Sequence, residues 1–284
     1  MPRVSILRLP ALFSRRVRRN RMTTLAVLAV VAIVLIIPLY SLYCIYKPPH
    51  FLIGYMRAKY PDVLFEEPSV KQRMMALSFD DAPSSYTRDI AKVLLEHEVH
   101  ATFFVIGSQV DSNGAEGPKI LRELVAAGHE LGNHAMHDEP SHKLSNEELE
   151  KQVNEVKQKL VAAYTAENKI LPNNYFRPGS GFFNHRMRDL LGNRGFRITL
   201  GSVYPHDPQL PYPDVNAKHI QSMAHPGAII ICHDRRKWTV PMLQKLIPAL
   251  KADGYKLVTI TDLVKAVEPI DGRRPVASLK DASG

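Results

Sequence analysis

The chain has 284 residues, 45% of them hydrophobic, with 37 Lys and Arg against 28 Asp and Glu and a formal net charge of +9. That length suits one domain of moderate size plus appendages. The charge does not describe a nucleic-acid surface: seven arginines (Arg3, Arg8, Arg15, Arg16, Arg18, Arg19, Arg21) lie in an acid-free start, and setting them aside leaves 30 basic residues against 28 acidic ones.

Residues 1–21 therefore read as a basic cytoplasmic tail, and residues 22–46 as a transmembrane signal anchor. Thr23 to Tyr46 carries no charge and exceeds the roughly 20 residues that cross a hydrocarbon core. Pro38 is tolerated in such a helix, and Tyr40, Tyr43 and Tyr46 suit the interface. A cleaved signal peptide would have a shorter apolar core and a small-residue cleavage site. The basic flank places everything after Tyr46 outside the cell or in the secretory lumen, as a single-pass membrane protein. Cys44 lies in this span and Cys232 in an apolar run, so no disulfide between them is expected. An exported domain then rests on its core or on a bound metal.

Residues 47–70 are spaced by prolines and suggest a semi-rigid stem, although Val63-Leu64-Phe65 offers apolar surface to pack. Across 71–267 short apolar runs predict strands at 74–79, 100–106, 129–133, 175–177, 196–202, 227–232 and 256–260. Amphipathic stretches predict helices near 87–97, 117–127, 145–164, 184–193, 216–223, 240–252 and 261–267. Ser145-Asn146-Glu147-Glu148 is a capping box, and Gly128 and Gly254 suit left-handed helix ends. The alternation implies an α/β domain of parallel strands, an open sheet or a closed barrel. Residues 268–284 are polar and predict a disordered tail.

The chemistry collects at strand ends. The first predicted strand ends in Asp80-Asp81, the third in His134, the fourth in Arg177 and the sixth in His233-Asp234, while His206-Asp207 follows the fifth. Solvated turns are the plain alternative for any one of these. Five ionisable ends at the carboxyl side of parallel strands instead describe one site. His134 and Asp138, at i and i+4, share one side of a helical turn. With Asp81 they offer a metal one nitrogen and two oxygens and leave a position open; His137 competes with Asp138 for the third place. Trp238, Phe182 and Phe183 suit either a platform for a sugar ring or the core edge. Arg235-Arg236-Lys237 suits either an acidic glycan or a solvated turn.

Ser78-Phe79-Asp80-Asp81-Ala82-Pro83 resembles the T-F-D-D-G-P signature of polysaccharide deacetylases, the NodB-type carbohydrate esterases that include chitin and peptidoglycan deacetylases. His134-Ala135-Met136-His137-Asp138 is similar to their H-S/T-x-x-H metal motif, Phe176-Arg177-Pro178-Gly179-Ser180 to R-x-P-Y, and Ile229 to His233 to L-x-L-x-H. The resemblance implies a deformed (β/α) barrel of the NodB type and a divalent metal, zinc first. It implies Asp80 as general base, with Asp81, His134 and Asp138 as metal ligands. His233 would be the general acid, Arg177 would hold Asp80, and Asp207 would orient His233. Gly179, Ser180 and Trp238 are the expected substrate contacts, Gly179 to Gly181 supplying a backbone N–H to the oxyanion. Asp138 replaces a His and Ser180 a Tyr, and the Asp-Trp pair of the fourth motif is missing.

The expected reaction is de-N-acetylation of N-acetylglucosamine in a polysaccharide, chitin-like first. The alternatives are a silent glycan-binding module, or a deacetylase acting on a lipid-linked amino sugar or peptidoglycan.

Overall fold

Seven short parallel strands carry the domain in a computed structural model that describes residues 21–267. The segments expected as basic tail and disordered terminus lie outside the described residues, apart from Arg21. The chain divides after Leu52. In the first unit, α1 (Arg21–Tyr46) is a 26-residue helix with Pro38 inside it. At 1.5 Å per residue it is about 39 Å long, enough to cross a bilayer core.

Strand β1 (Met74–Ala82) is buried from Met75 onward. Burial on both faces is what its near-continuous apolar sequence requires. It pairs with β2 (Thr102–Val105) on one edge and with β6 (Ile229–His233) on the other, while β7 (Lys256–Val258) pairs with its first residues. From β2 the sheet continues through β3 (Glu130–Asn133) and β4 (Tyr175–Phe176) to β5 (Arg197–Ile198). After β5 the chain reaches the other edge: Val203 bridges Ile230, whose neighbour Ile231 donates its N–H to the Val203 carbonyl at 2.9 Å. The result is the expected deformed barrel, a curled parallel half-barrel with helices around it.

The helices are α3 (Thr87–Glu96), α4 (Gly107–Ser112), α5 (Glu116–Ala126), α6 (Asn146–Ala166), α7 (His185–Gly192), α8 (Pro213–Ser222), α9 (Thr239–Ala252) and α10 (Ile260–Lys265). Their apolar faces (Ile90 and Leu94 of α3, Leu124 of α5, Val156 and Leu160 of α6, Leu246 of α9) close on Leu77, Phe79, Phe103 and Leu131 of the sheet. Ser145 caps α6 by accepting from the Glu148 N–H at 3.2 Å, and Gly128 and Gly254 take the left-handed angles expected of them, φ 85° and 81°.

Three segments differ from the sequence expectation. The region 47–70 is not a uniform stem: α2 (His50–Lys59) is helical, and Val63, Leu64, Phe65 and Val70 are buried. Leu64 bridges Thr199 and Glu66 bridges Ala228, so the apolar triplet outweighs the proline spacing. The strand expected at 196–202 has only two ladder residues, because residues 199–203 leave β4 to reach Leu64 and β6. Residues 107–112 are helical as α4 where no helix was expected.

Candidate active site

A regular strand would send adjacent side chains to opposite faces, yet Asp80 and Asp81 line the same cavity, of about 510 Å³. The ladder explains this. Against β2 the register jumps from Phe79↔Phe103 to Ala82↔Val105, which puts one extra residue into β1 and makes a bulge. Asp81 takes the left-handed φ of 67° that re-aims it. Against β6 the register is kept, and Asp80 pairs with His233. The two residues expected to handle protons therefore leave neighbouring strands on one face.

Arg177 follows β4 and is fully buried, with its guanidinium 3.8 Å from the Phe104 ring centre. Nη1 donates to Asp80 Oδ1 at 2.6 Å and to Ser78 Oγ at 2.9 Å, while Nε and Nη2 donate to the carbonyls of Thr199 and Leu200, each at 3.0 Å. Burial pushes the Asp80 carboxyl up. Arg177, by its charge and its hydrogen bond, leads the effects that outweigh burial and hold the group below its ordinary range.

His134 Nδ1 lies 2.7 Å from the Arg177 carbonyl. A proton on Nδ1 leaves the lone pair on Nε2, and Nε2 is 3.7 Å from Asp81 Oδ1. Burial raises the Asp81 carboxyl, so an ionised Asp81 needs a cation beside it. A buried carboxylate, an oriented imidazole and room for further ligands fit a divalent metal. Asp138 is on the same cavity wall, whereas His137 is exposed and not part of the lining. The Asp138 carboxylate is half-exposed and accepts from Arg235 Nη1 at 3.4 Å. The structure thus brings Asp81 and His134 together and leaves Asp138 nearby.

On the opposite side, Asp207 is fully buried and grips His233 twice: Oδ1 is 2.9 Å from Nδ1, and Oδ2 accepts the backbone N–H at 2.8 Å. Burial lowers the His233 pKa, but Asp207, with Asp80 and Asp81 adding to it, raises it above the ordinary value. Trp238 does not line the cavity; its indole N–H donates to the Asp207 carbonyl at 2.9 Å. Phe183 packs on Tyr60 and Phe65, and Phe182 is exposed, so the three aromatics do not form one platform.

The loop after Arg177 also corrects an expectation. Gly179 donates its N–H to Ser141 Oγ at 2.9 Å and Gly181 to the Pro178 carbonyl at 3.0 Å. Ser180 lines the cavity, and its N–H has no acceptor among the described residues. Gly179 is there for space, since a Cβ would stand 2.1 Å from the Glu139 carbonyl oxygen. Asp81, Ala135, Ser180 and His206 all have positive φ (67°, 62°, 63° and 59°). Non-glycine residues hold such angles at a cost of about 1–3 kcal/mol each, and they gather where surrounding structure enforces them.

Sequence reasoning gave no role to Ser78, Ser141, Tyr204 or Asp234. Tyr204 lines the cavity, edge-on to His233 with ring centres 5.8 Å apart. Asp234 is fully buried, accepts from Ser84 Oγ at 2.9 Å and Thr87 Oγ1 at 2.5 Å, and is pushed up to about 7 by burial. Its position beside His233 was the only available signal.

Residues 67–199 match the polysaccharide deacetylase family. The chain is 31% identical over 209 residues to the peptidoglycan-N-acetylglucosamine deacetylase of Bacillus cereus, covering 72% of this chain and 93% of that one. It belongs to the polysaccharide deacetylase family. A chitooligosaccharide deacetylase of Rhizobium leguminosarum is 30% identical over 216 residues, covering 71% of this chain and 96% of its own. Among solved structures, the family 4 carbohydrate esterase PdaA of Bacillus subtilis matches with TM-score 0.66 and 26% identity, over 78% of this chain and 94% of PdaA. A family 4 pseudoenzyme from Bacillus anthracis matches with TM-score 0.62 and 28% identity, over 70% of this chain and 67% of its own. Backbone similarity to esterase and pseudoenzyme is nearly equal, so the side chains carry the distinction.

Proposed function

We propose that this deacetylase hydrolyses the acetamide of N-acetylglucosamine residues in a glycan, with Asp80 as general base and His233 as general acid. The supporting observation is that both groups sit at one ladder position of β1 and β6, each held by its own buried partner. When bound by Asp81, His134 and Asp138, a divalent metal, zinc first, supplies Lewis-acid polarisation of the acetamide carbonyl. Arg177 occupies Oδ1 of Asp80 and keeps the carboxylate ionised; Oδ2 then accepts the proton of the attacking water. The Ser180 N–H is the donor for the developing oxyanion. The Asp207 contact on Nδ1 leaves His233 Nε2 to deliver a proton to the departing amine. Trp238 acts behind Asp207 rather than on the sugar.

The named relatives act on peptidoglycan and on chitooligosaccharides. The chemistry shared by both is the acetamido sugar, and a chitin-like polymer and peptidoglycan are the two substrates to compare. The apolar helix α1 serves as signal anchor, N-terminus cytoplasmic, with the catalytic domain outside or in the secretory lumen.

The test is acetate release by the detergent-solubilised full chain from chitin oligomers and from peptidoglycan in parallel. Chelation is expected to abolish release and a divalent metal to restore it. Asp80→Asn is expected to lose at least about 10²-fold in kcat, and undiminished release by that variant would sink the mechanism. The pseudoenzyme neighbour motivates a second reading, a silent glycan-binding module. Glycan binding with neither bound metal nor turnover would favour it.

A further inference from the structure

The bulge in β1 aims Asp81, and the backbone has to keep that aim unaided. Asp80 and His233 each have a side-chain partner within hydrogen-bond distance, Arg177 and Asp207. The Asp81 carboxylate has no hydrogen bond among the described residues; His134 Nε2 stands 3.7 Å from it and Arg236 Nη2 3.9 Å. Its position rests on the left-handed φ of 67° at the bulge, an angle that persists only where surrounding structure enforces it.

The enforcement comes from both sides. Ala82 is held beside β2, its carbonyl accepting the Ile106 N–H at 2.8 Å. Asp234, directly after β6, grips the chain before and after Asp81. Its N–H donates to the Asp80 carbonyl at 2.9 Å. Its fully buried carboxylate accepts from Ser84 Oγ at 2.9 Å and from Thr87 Oγ1 at 2.5 Å.

The two hydroxyls are themselves fixed. Ser84 Oγ accepts the Tyr86 N–H at 3.0 Å, and Thr87 Oγ1 accepts the Ser84 N–H at 2.7 Å. Each has its single proton left to give, and a carboxylate takes both. An amide in the same place would accept from Ser84 on its oxygen and donate its own N–H to Thr87. The Thr87 proton then has a second acceptor in reach, the Ser84 carbonyl at 3.1 Å. The clamp therefore needs the shape and hydrogen bonding of Asp234 and not its charge.

We propose that Asp234 is the positioning residue for Asp81: by tying the 84–87 turn to β6, it holds the Asp81 carboxylate where a divalent metal is bound. This rests on the reading of Asp81 as a metal ligand and adds the residue that keeps it in place.

The test is zinc binding to the detergent-solubilised full chain, measured by calorimetry. The cobalt(II) form adds a visible spectrum that reports the arrangement of the ligands. Asp234→Ala is expected to weaken zinc binding by about 10–100-fold, the scale for losing a group that orients a ligand, and to change the cobalt spectrum. Asp234→Asn should keep both near the parent. Ser84→Ala, which removes one of the two bonds, should fall between them. Leu124→Ala truncates a buried side chain of α5 and controls for lost stability; its affinity and spectrum should match the parent.

Parent-like affinity and spectrum in Asp234→Ala would overturn the proposal. So would an Asp234→Asn variant as weak as Asp234→Ala, which would assign the effect to charge, or an equal loss in Leu124→Ala. If Asp234→Ala does not fold, Ser84→Ala against Asp234→Asn makes the same comparison. A parent chain that binds no zinc would count against Asp81 as a ligand. Amide exchange over residues 82–87 then decides the clamp: faster in Asp234→Ala and Ser84→Ala and parent-like in Asp234→Asn if it exists, unchanged in all three if it does not.

Discussion

At the scale of the residue, the site is built from side chains that are each held by a second one. His233 shows this most directly. Asp207 raises its pKa against the opposing effect of burial, so the proton that it would deliver is retained to higher pH. In Asp207→Asn the charge is lost and burial acts with less opposition. The alkaline limb of the kcat/KM profile is expected to move to lower pH by about one unit or more; an unmoved limb would separate His233 from the acid role. The linkage to stability has the same sign. With the folded pKa above the ordinary value near 6.5, the pair stabilises fully below that value and loses its contribution as pH rises through the folded pKa. Trp238 offers a second check. As a brace behind Asp207 it should affect kcat, whereas a sugar platform would affect KM. Trp238→Phe keeps the ring and deletes the indole donor, so we expect kcat to fall by roughly tenfold, the scale of one hydrogen bond, with KM little changed.

At the scale of elements, the bulge in β1 and the loop after β4 do most to shape the site. The Gly179 loop is wedged against Glu139, at the end of the segment that carries His134 and Asp138. In Gly179→Ala the new Cβ meets the Glu139 carbonyl, and one of the two segments must move. Either movement shifts the Ser180 N–H or the Arg177 carbonyl that orients His134. A displacement of about 1 Å costs on the order of 10² in rate, and kcat for the acetamide substrate is expected to fall that far. A parallel assay of Ser145→Ala should show about 1 kcal/mol of lost stability, typical of an N-cap, with kcat unchanged. The element pattern itself was legible: seven strands and the main helices follow from apolar period, a capping box and helix-ending glycines. The bulge was not. It depends on β1 having different registers with β2 and β6 at one place, and a single sequence does not state which strands flank β1. The pairing of Arg177 with Asp80 was hidden for the same reason: the two are 97 residues apart, and the guanidinium fork also needs carbonyls from the irregular chain after β5.

At the scale of the whole molecule, the domain begins earlier than its sequence motifs. Val63, Leu64, Phe65 and Val70 are buried, and each large apolar side chain removed from such a place costs about 1.5–3 kcal/mol. A chain starting at residue 53 is therefore expected to unfold cooperatively in denaturant, while one starting at residue 71 should be several kcal/mol less stable or fail to fold. Equal midpoints would show that the 63–70 segment is dispensable.

The sequence by itself determined the chemistry available: paired acids at a strand end, His134 and His233 at others, an arginine between them and a long uncharged segment ahead of the domain. Such information is local, carried by residue type and spacing. Tertiary structure decided how those groups are used. Whether Gly179 or Ser180 has a donor to spare and whether Trp238 faces a sugar or an aspartate depend on partners distant in the chain. Those partners meet only when the sheet curls and its edges join.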